Sequence, residues 1–494
     1  MIGGGVAGLT AAFLLKDAGL AVTVLEGSPR LGGKLAVSEV GGIAVDSGAE
    51  ALLARRPEGT GLIADLGLSG QLEVPGTTSA GIWTRGSIRP LPRRQFMGVP
   101  GDLDDLAAAG ILSPEGLARA REEPGLPGAD PGTDESVTAR VGSRFGAEVV
   151  DRLVEPLLGG VYAGRCEDLS FDATLAPLAQ AARGRASLTE AVASMLPPAL
   201  AAAVRPEAVR PEADGPEAAG AEAAGSDVAL PDQPKPPPVF TTLADGLGSL
   251  PPAIAAASDA VVRTSAMVRE LARTPSGWRL TVGSAHAPGQ LDADAVILAV
   301  PAIPASRLLD GVAPAAAMAL GEIKYASMAI VTLAYPDAAF GATPAGSGLL
   351  VPAVDGRAVK AVTFSTVKWP HLRRRESGLQ VVRCSVGRLG EDAVLQRDDA
   401  GLAALAAADL AAATGVTGKP VDVRVTRWGG GLPQYSVGHL DRVARIRAAI
   451  GGQPGLAVCG AAYDGVGIPA CIATARLAAE RVLSYLGTLD DVRG

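Results

Sequence analysis

A chain of 494 residues is longer than one hydrophobic core usually serves, so two or three domains are expected, discontinuous ones included. A net charge of −8 without a basic block leaves a nucleic-acid role unsupported, and no apolar run of about 18 residues or charged-then-apolar leader is present, so the chain reads as soluble and cytoplasmic, with no transmembrane segment. Four scattered cysteines without a CxxC pair and three histidines argue against a disulfide framework and against any metal site, which points to an organic cofactor.

The chain opens MIGGGVAGLTAAFLLKDAGLAVTVLEG. Gly3, Gly5 and Gly8 stand in G-x-G-x-x-G spacing, with Val6 and Ala7 between the last two. The first glycine permits a tight turn, the second lets backbone approach a pyrophosphate, and the third lets a helix pack close to a strand. Free amides and the helix dipole then hold the phosphates. Leu9, Ala12, Phe13 and Leu15 predict a helix from Gly8 to Ala18 stopped by Gly19, and AVTVLE (21–26) predicts a strand ending in an acid. Glu26, 18 residues beyond Gly8, is placed to grip ribose hydroxyls and to oppose the extra phosphate of NADP. NAD and FAD share this pattern. Gly27, Arg30, Gly32, Gly33 and Lys34 follow directly, and the adjacent glycines suit a second dinucleotide contact. GIAVDSGAE (42–50) predicts a strand ending at Asp46, then Gly48, Ala49 and Glu50.

From about 102 to 197 helical signals dominate, and Val137, Val141, Phe145, Val149 and Leu153 form a stripe at steps of four, read as core packing. Residues 198–238 are a Pro, Ala and Glu mixture with no apolar period, read as a disordered surface insertion. Folded character resumes at 239–255. Strands are predicted around 266–271, 277–283, 294–301, 328–335, 380–387 and 421–428, and an Ala-rich helix from about Pro469 closes the chain.

P-R-L-G-G-K followed by D-x-G-A-E resembles the flavin amine oxidase superfamily, and GLAVCGAAYDGVGIPACIATARLAAERV (455–482) is similar to its closing FAD motif. The resemblance implies FAD, with Gly460 and the amides of Val466, Gly467, Ile468 and Pro469 facing the pyrimidine side of the flavin, where they stabilise negative charge. It makes Val268 a backbone clamp for adenine. A β-branched strand normally precedes the glycines in this superfamily, and here only Met1 and Ile2 do. The expectation is a truncated or mis-assigned start that holds FAD poorly until the strand is restored. Equal FAD occupancy in extended and unextended chains would refute it.

Three stretches resemble the porphyrinogen oxidases of that superfamily: PLLGGVYAGRCEDLS (156–170), RWGGGLPQYSVGH (427–439) and DGVGIPACI (464–472). They imply an oxygen-using oxidase that removes six electrons from a porphyrinogen in three two-electron steps and releases peroxide. The flavin carries that chemistry, so no catalytic side chain is expected. Gly160 would admit a flat macrocycle, with Val161 and Tyr162 as apolar wall. Trp428, toward the cofactor, and Tyr435, toward the substrate, read as core or pocket aromatics, and His439 as a structural hydrogen-bonding group in a loop. Relatives that prefer protoporphyrinogen IX carry an arginine where Ala80 falls here, which implies the coproporphyrinogen III branch of Gram-positive and actinobacterial haem synthesis. Protoporphyrinogen IX oxidation, an amine oxidase or desaturase, and a non-catalytic binding module are the rival readings. Four substrate carboxylates need cations, for which Arg55, Arg56, Arg85, Lys324, Lys360 and Arg427 are candidates.

The implied architecture is α/β. A discontinuous Rossmann-like FAD-binding domain (1–75, 239–305, 430–494) is expected with a mixed-sheet substrate domain (76–94, 306–429) and a helical domain (95–197). Molecular oxygen and a haem-pathway enzyme that collects the product are the partners implied.

Overall fold

The computed structural model describes residues 1–128, 132–197, 238–373 and 377–493. Apart from Pro238, the insertion read over 198–238 lies outside the described residues.

A parallel sheet forms the base of the molecule. Its segments run in the order Val261–Arg263, Thr23–Leu25, Ile2, Val296–Leu298 and Leu456–Val458, drawn from three distant parts of the chain. Ile2 occupies the central place, bridging to Leu25 on one side and Leu298 on the other. Both faces are covered, as a parallel sheet requires. Val296 and Leu298 point into a core with Trp278 and Leu309, whereas Ile297 points into another with Ala7, Ala11, Cys471 and Ala475. The second core joins the helix Val6–Leu14 to the helix Ile468–Arg493. The opening helix starts two residues before the predicted Gly8. Its predicted end instead forms the 3-10 turn Lys16–Ala18, with Gly19 left-handed at φ 68°.

A seven-stranded mixed sheet stands over this base, in the order Asp422–Pro433, Tyr325–Pro336, Leu379–Val386, Val359–Phe364, Gly348–Leu350, Gly81–Thr84 and Ser87–Pro90. Only Gly348–Leu350 and Gly81–Thr84 pair in parallel. One face buries Val331, Leu333, Val382, Cys384, Val362 and Phe364 beneath the helix Asp399–Thr414. Alternation therefore turns Arg383 and Ser385 to the opposite face.

The helical part packs around the predicted stripe. Val137, Val141, Phe145, Val149 and Leu153 are all buried in one core. The helix is interrupted, however: Gly146, at φ 88°, ends Val137–Phe145, and a π-turn over Val150–Val154 leads into Glu155–Tyr162. Among the described residues no helix is long and apolar enough to cross a membrane.

Candidate functional site

In an open parallel sheet, ligands bind beyond the carboxyl ends of the strands. The segments leaving those ends here are the glycine turn after Ile2, Glu26 after Leu25, Ser265 after Arg263 and Gly460 after Val458. Gly3 adopts φ 109°, and a Cβ there would stand 2.5 Å from the Ala299 carbonyl oxygen. A Cβ on Gly8 would overlap the Gly3 carbonyl oxygen, so the helix sits directly on the turn. At Gly5 the situation reverses: a Cβ would meet nothing within 4 Å. Gly5 is also the N-cap of Val6–Leu14, and no side chain caps that helix. Its first amides, among them those of Val6, Ala7 and Gly8, have no capping side chain, and the space beside Gly5 is open, the arrangement an anion needs.

The residues predicted to flank this turn gather around it. Glu26 accepts the Gly4 amide at 2.7 Å and the Ser28 amide at 2.8 Å, which fixes the carboxylate at the strand end. Gly27 lies against Met267, and the amides of Ala266 and Ser265 reach the carbonyls of Glu26 and Ser28, so the segment entering Val268–Thr274 runs alongside. Val268 itself is buried. The double-glycine turn docks on the first one: Gly32 bridges to Gly5 and its amide donates to the Gly4 carbonyl at 2.8 Å. Arg30 ties that turn by donating to the Gly33 carbonyl at 2.7 Å, with its guanidinium 5.7 Å from the Trp428 ring. Lys34 is half-buried with its ammonium 5.9 Å from the Tyr325 ring, and burial lowers its pKa.

A second loop closes in from the strand Ile43–Asp46. A Cβ on Gly48 would overlap the Lys34 carbonyl oxygen, Ala49 donates to that same oxygen at 3.2 Å, and Trp428 Nε1 donates to the Ser47 carbonyl at 2.9 Å. Glu50 is held by the Lys368 ammonium at 2.6 Å and by Arg383, which also donates to the Gly48 carbonyl at 2.6 Å. Burial alone would raise the Glu50 pKa, but the two cations outweigh it and hold the carboxyl down at about 2. Lys368 and Arg383 were missed in the sequence. An arginine inside the apolar run QVVRCSVG is the one signal that could have found the second.

The far end of the chain meets the near end. A Cβ on Gly460 would lie 4.0 Å from Ala7 Cβ, and the Gly460 amide donates to Thr474 Oγ1 at 3.0 Å. Ile468 and Ile472 share a core with Leu9 and Ala12, while Val466, on the same loop as Gly467, packs against the helical core that holds Tyr162 and Tyr435. Pro469 approaches Gly59 in the helix Pro57–Asp65. One loop thereby touches both the glycine turn's helix and the helical core.

At that junction Gly160 and Val161 are exposed, and a Cβ on Gly160 would touch only Leu350, at 3.7 Å. Tyr162 and Tyr435 are buried with ring centroids 5.4 Å apart, and Tyr435 OH donates to the Ala461 carbonyl at 2.7 Å. Tyr435 therefore braces the terminal loop from within the core. His439 begins the helix His439–Gly451 rather than lying in a loop. It stacks on Tyr435 at 3.8 Å and bonds the Tyr463 carbonyl at 2.9 Å, a structural role, and its burial lowers its pKa.

The candidate cations separate by their surroundings. Arg56 pairs with Glu58 at 2.6 Å, Arg85 with Glu148 at 2.8 Å, and Arg427 with Asp399. Arg55 and Lys324 are exposed. Lys360 alone of the six is buried, at 3% exposure.

Comparison with known proteins follows the same lines. The profile of the family described as flavin containing amine oxidoreductase matches residues 6–483. A protein named coproporphyrinogen III oxidase from Mycobacterium tuberculosis H37Rv is 37% identical over 98% of this chain and 97% of its own length. Its namesake from Bacillus subtilis is 29% identical over 98% of each. A solved structure from Exiguobacterium sp. 255-15 superposes with a TM-score of 0.79 at 29% identity, covering 98% of both chains.

Proposed function

The chain belongs to the flavin containing amine oxidoreductase family and uses FAD, and we propose that within this family it is an oxygen-using oxidase converting coproporphyrinogen III to coproporphyrin III. The observation that carries this reading is the loop 460–469, which packs on the glycine turn's helix through Ile468 and on the helical domain through Val466. A cofactor held by both chain ends then has the exposed Gly160–Val161 edge as its neighbour.

The fit of FAD rests on the glycine turn. Open space at Gly5, uncapped amides at the start of Val6–Leu14 and the fixed Glu26 carboxylate suit a pyrophosphate and its ribose. Gly32, Gly33, Lys34 and the Gly48–Glu50 loop would bound it on one side, with Val466 to Pro469 on the other. When bound, the flavin supplies acceptance of hydride from carbon and re-oxidation by oxygen with release of peroxide. The chain's own residues position and desolvate. Trp428 bonds the Ser47 carbonyl, Arg383 that of Gly48, and Tyr435 that of Ala461, which holds the walls in place for the ligands. Each two-electron step also releases a proton from the macrocycle, which is acidic once the hydride has left and passes to water without a strong base, consistent with a site whose histidine is already committed to Tyr463.

The relatives' names support coproporphyrinogen III over an amine, as does the matching of nearly the whole chain. We further read the protein as cytoplasmic, passing its product to another haem-pathway enzyme. The test is a porphyrin-fluorescence assay of FAD-loaded protein. Coproporphyrinogen III is expected to give fluorescent product and peroxide, with a kcat/KM above that for protoporphyrinogen IX, while an amine panel gives no peroxide. A reversed preference would favour the protoporphyrinogen reading, and peroxide from amines alone would reject both.

A further inference from the structure

Between the mixed sheet and the helix Glu155–Tyr162 lies a small cavity lined by Glu155, Gly159, Gly164, Val351, Lys360 and Arg388. Its origin is a β-bulge. Val359, Val362 and Phe364 all point into the core beneath Asp399–Thr414, although residues 359 and 362 are three apart and strict alternation forbids it. The register shift between Val359 and Ala361 reconciles them, and it turns Lys360 away from that core to the cavity on the other face. Lys360 is 3% exposed, and its Nζ finds no hydrogen-bond partner among the described residues. Ser385, on the neighbouring strand, likewise has a buried Oγ without a partner. Arg388 is buried beside Lys360, donating to the carbonyls of Val351 at 3.1 Å and Arg357 at 3.2 Å and reaching Glu391 at 3.4 Å.

A buried ammonium without a partner is costly unless an anion completes it. We propose that Lys360, with Arg388 beside it, receives one carboxylate arm of the tetrapyrrole substrate, entering past Gly159 next to the exposed Gly160. The inference rests on the porphyrinogen reading above. Burial and the adjacent Arg388 lower the Lys360 pKa to about 7, against a smaller raising effect of Glu391. Glu155 is the acid on the cavity wall, and burial raises its pKa. An arriving anion thus restores the proton on Lys360.

The test measures binding of coproporphyrin III and of its tetramethyl ester to FAD-loaded protein by fluorescence quenching, in the parent, Lys360→Met and Lys360→Arg. Lys360→Met is expected to weaken the acid at least about tenfold, with Lys360→Arg recovering most of the loss, because a charge-assisted pair is removed and then restored. The ester should bind parent and Lys360→Met alike. Parent affinity for the acid should fall as pH rises through about 7, and the Lys360→Met profile should be flat there. Lys360→Met should also unfold no more easily than the parent, since an unpaired buried amine has gone. Equal acid binding by Lys360→Met overturns the inference, as does an equal loss for the ester, or competition by inorganic phosphate alone. A parent that neither binds coproporphyrin III nor oxidises coproporphyrinogen III defeats the proposed function instead.

Discussion

Gly5→Ala is expected to leave the unliganded protein as stable as the parent yet to strip FAD from it, whereas Gly8→Ala is expected to lose both. The two glycines are three residues apart and face opposite constraints. A methyl group on Gly5 enters space that no protein atom within 4 Å contests, and the backbone there, at φ −77° and ψ 175°, suits alanine. The only thing it can collide with is whatever the uncapped amides bind. A methyl group on Gly8 overlaps the Gly3 carbonyl oxygen and must push the helix off the sheet, at a cost of about 1–3 kcal/mol or more. Thermal unfolding without FAD and flavin absorbance per chain after reconstitution separate the two effects. Gly5→Ala should lower FAD affinity by at least about a hundredfold, roughly 3 kcal/mol. Full flavin retention by Gly5→Ala would place the phosphates elsewhere.

Arg383→Met is expected to be among the most destabilising single changes in the molecule. It leaves the partly buried Glu50 with Lys368 as its one remaining cation among the described residues and leaves the Gly48 carbonyl without the Arg383 donor. Breaking one side of a fully buried ion pair typically costs about 3–5 kcal/mol, and with Glu50 partly exposed urea unfolding should read a loss of about 3 kcal/mol. Because the Gly48 loop also abuts Lys34 and Trp428, looser FAD binding should accompany it. The pH dependence follows from Glu50. Its folded pKa, about 2, lies below the ordinary 4.5, so the contribution is fully present above about 4.5 and is lost as pH falls toward about 2. Glu50→Gln should flatten that acid limb, and the double variant Glu50→Leu with Arg383→Met should recover part of the single-variant loss. An unchanged acid limb in Glu50→Gln would show that Glu50 does not carry it.

What could be read from the sequence was local. The G-x-G-x-x-G turn, Glu26 at the strand end and the terminal glycine loop each occupy a few consecutive residues whose spacing states their geometry. The apolar runs 328–335 and 380–387 likewise became strands, each buried along almost its whole length rather than on alternate residues. The misses have a common cause in distant contacts. Glu50 finds its cations 318 and 333 positions away, and nothing near Glu50 announces either. His439, just after the P-Q-Y-x-x-G motif, read as a loop residue, yet the left-handed Gly438 before it is the N-cap of the helix His439–Gly451. Of six candidate cations the reading favoured Arg55 and Arg56, which are exposed, whereas the bulge at Val359 turns Lys360 inward.

The central claim, one FAD gripped by both chain ends beneath a tetrapyrrole slot, is tested most directly by a crystal structure of the protein soaked with FAD and coproporphyrin III. The account predicts pyrophosphate against the amides following Gly5, the ring against Val466 to Pro469, and the macrocycle along Gly160 with a carboxylate near Lys360. A flavin seated away from Gly5, or a porphyrin bound with no approach to that flavin, would contradict it.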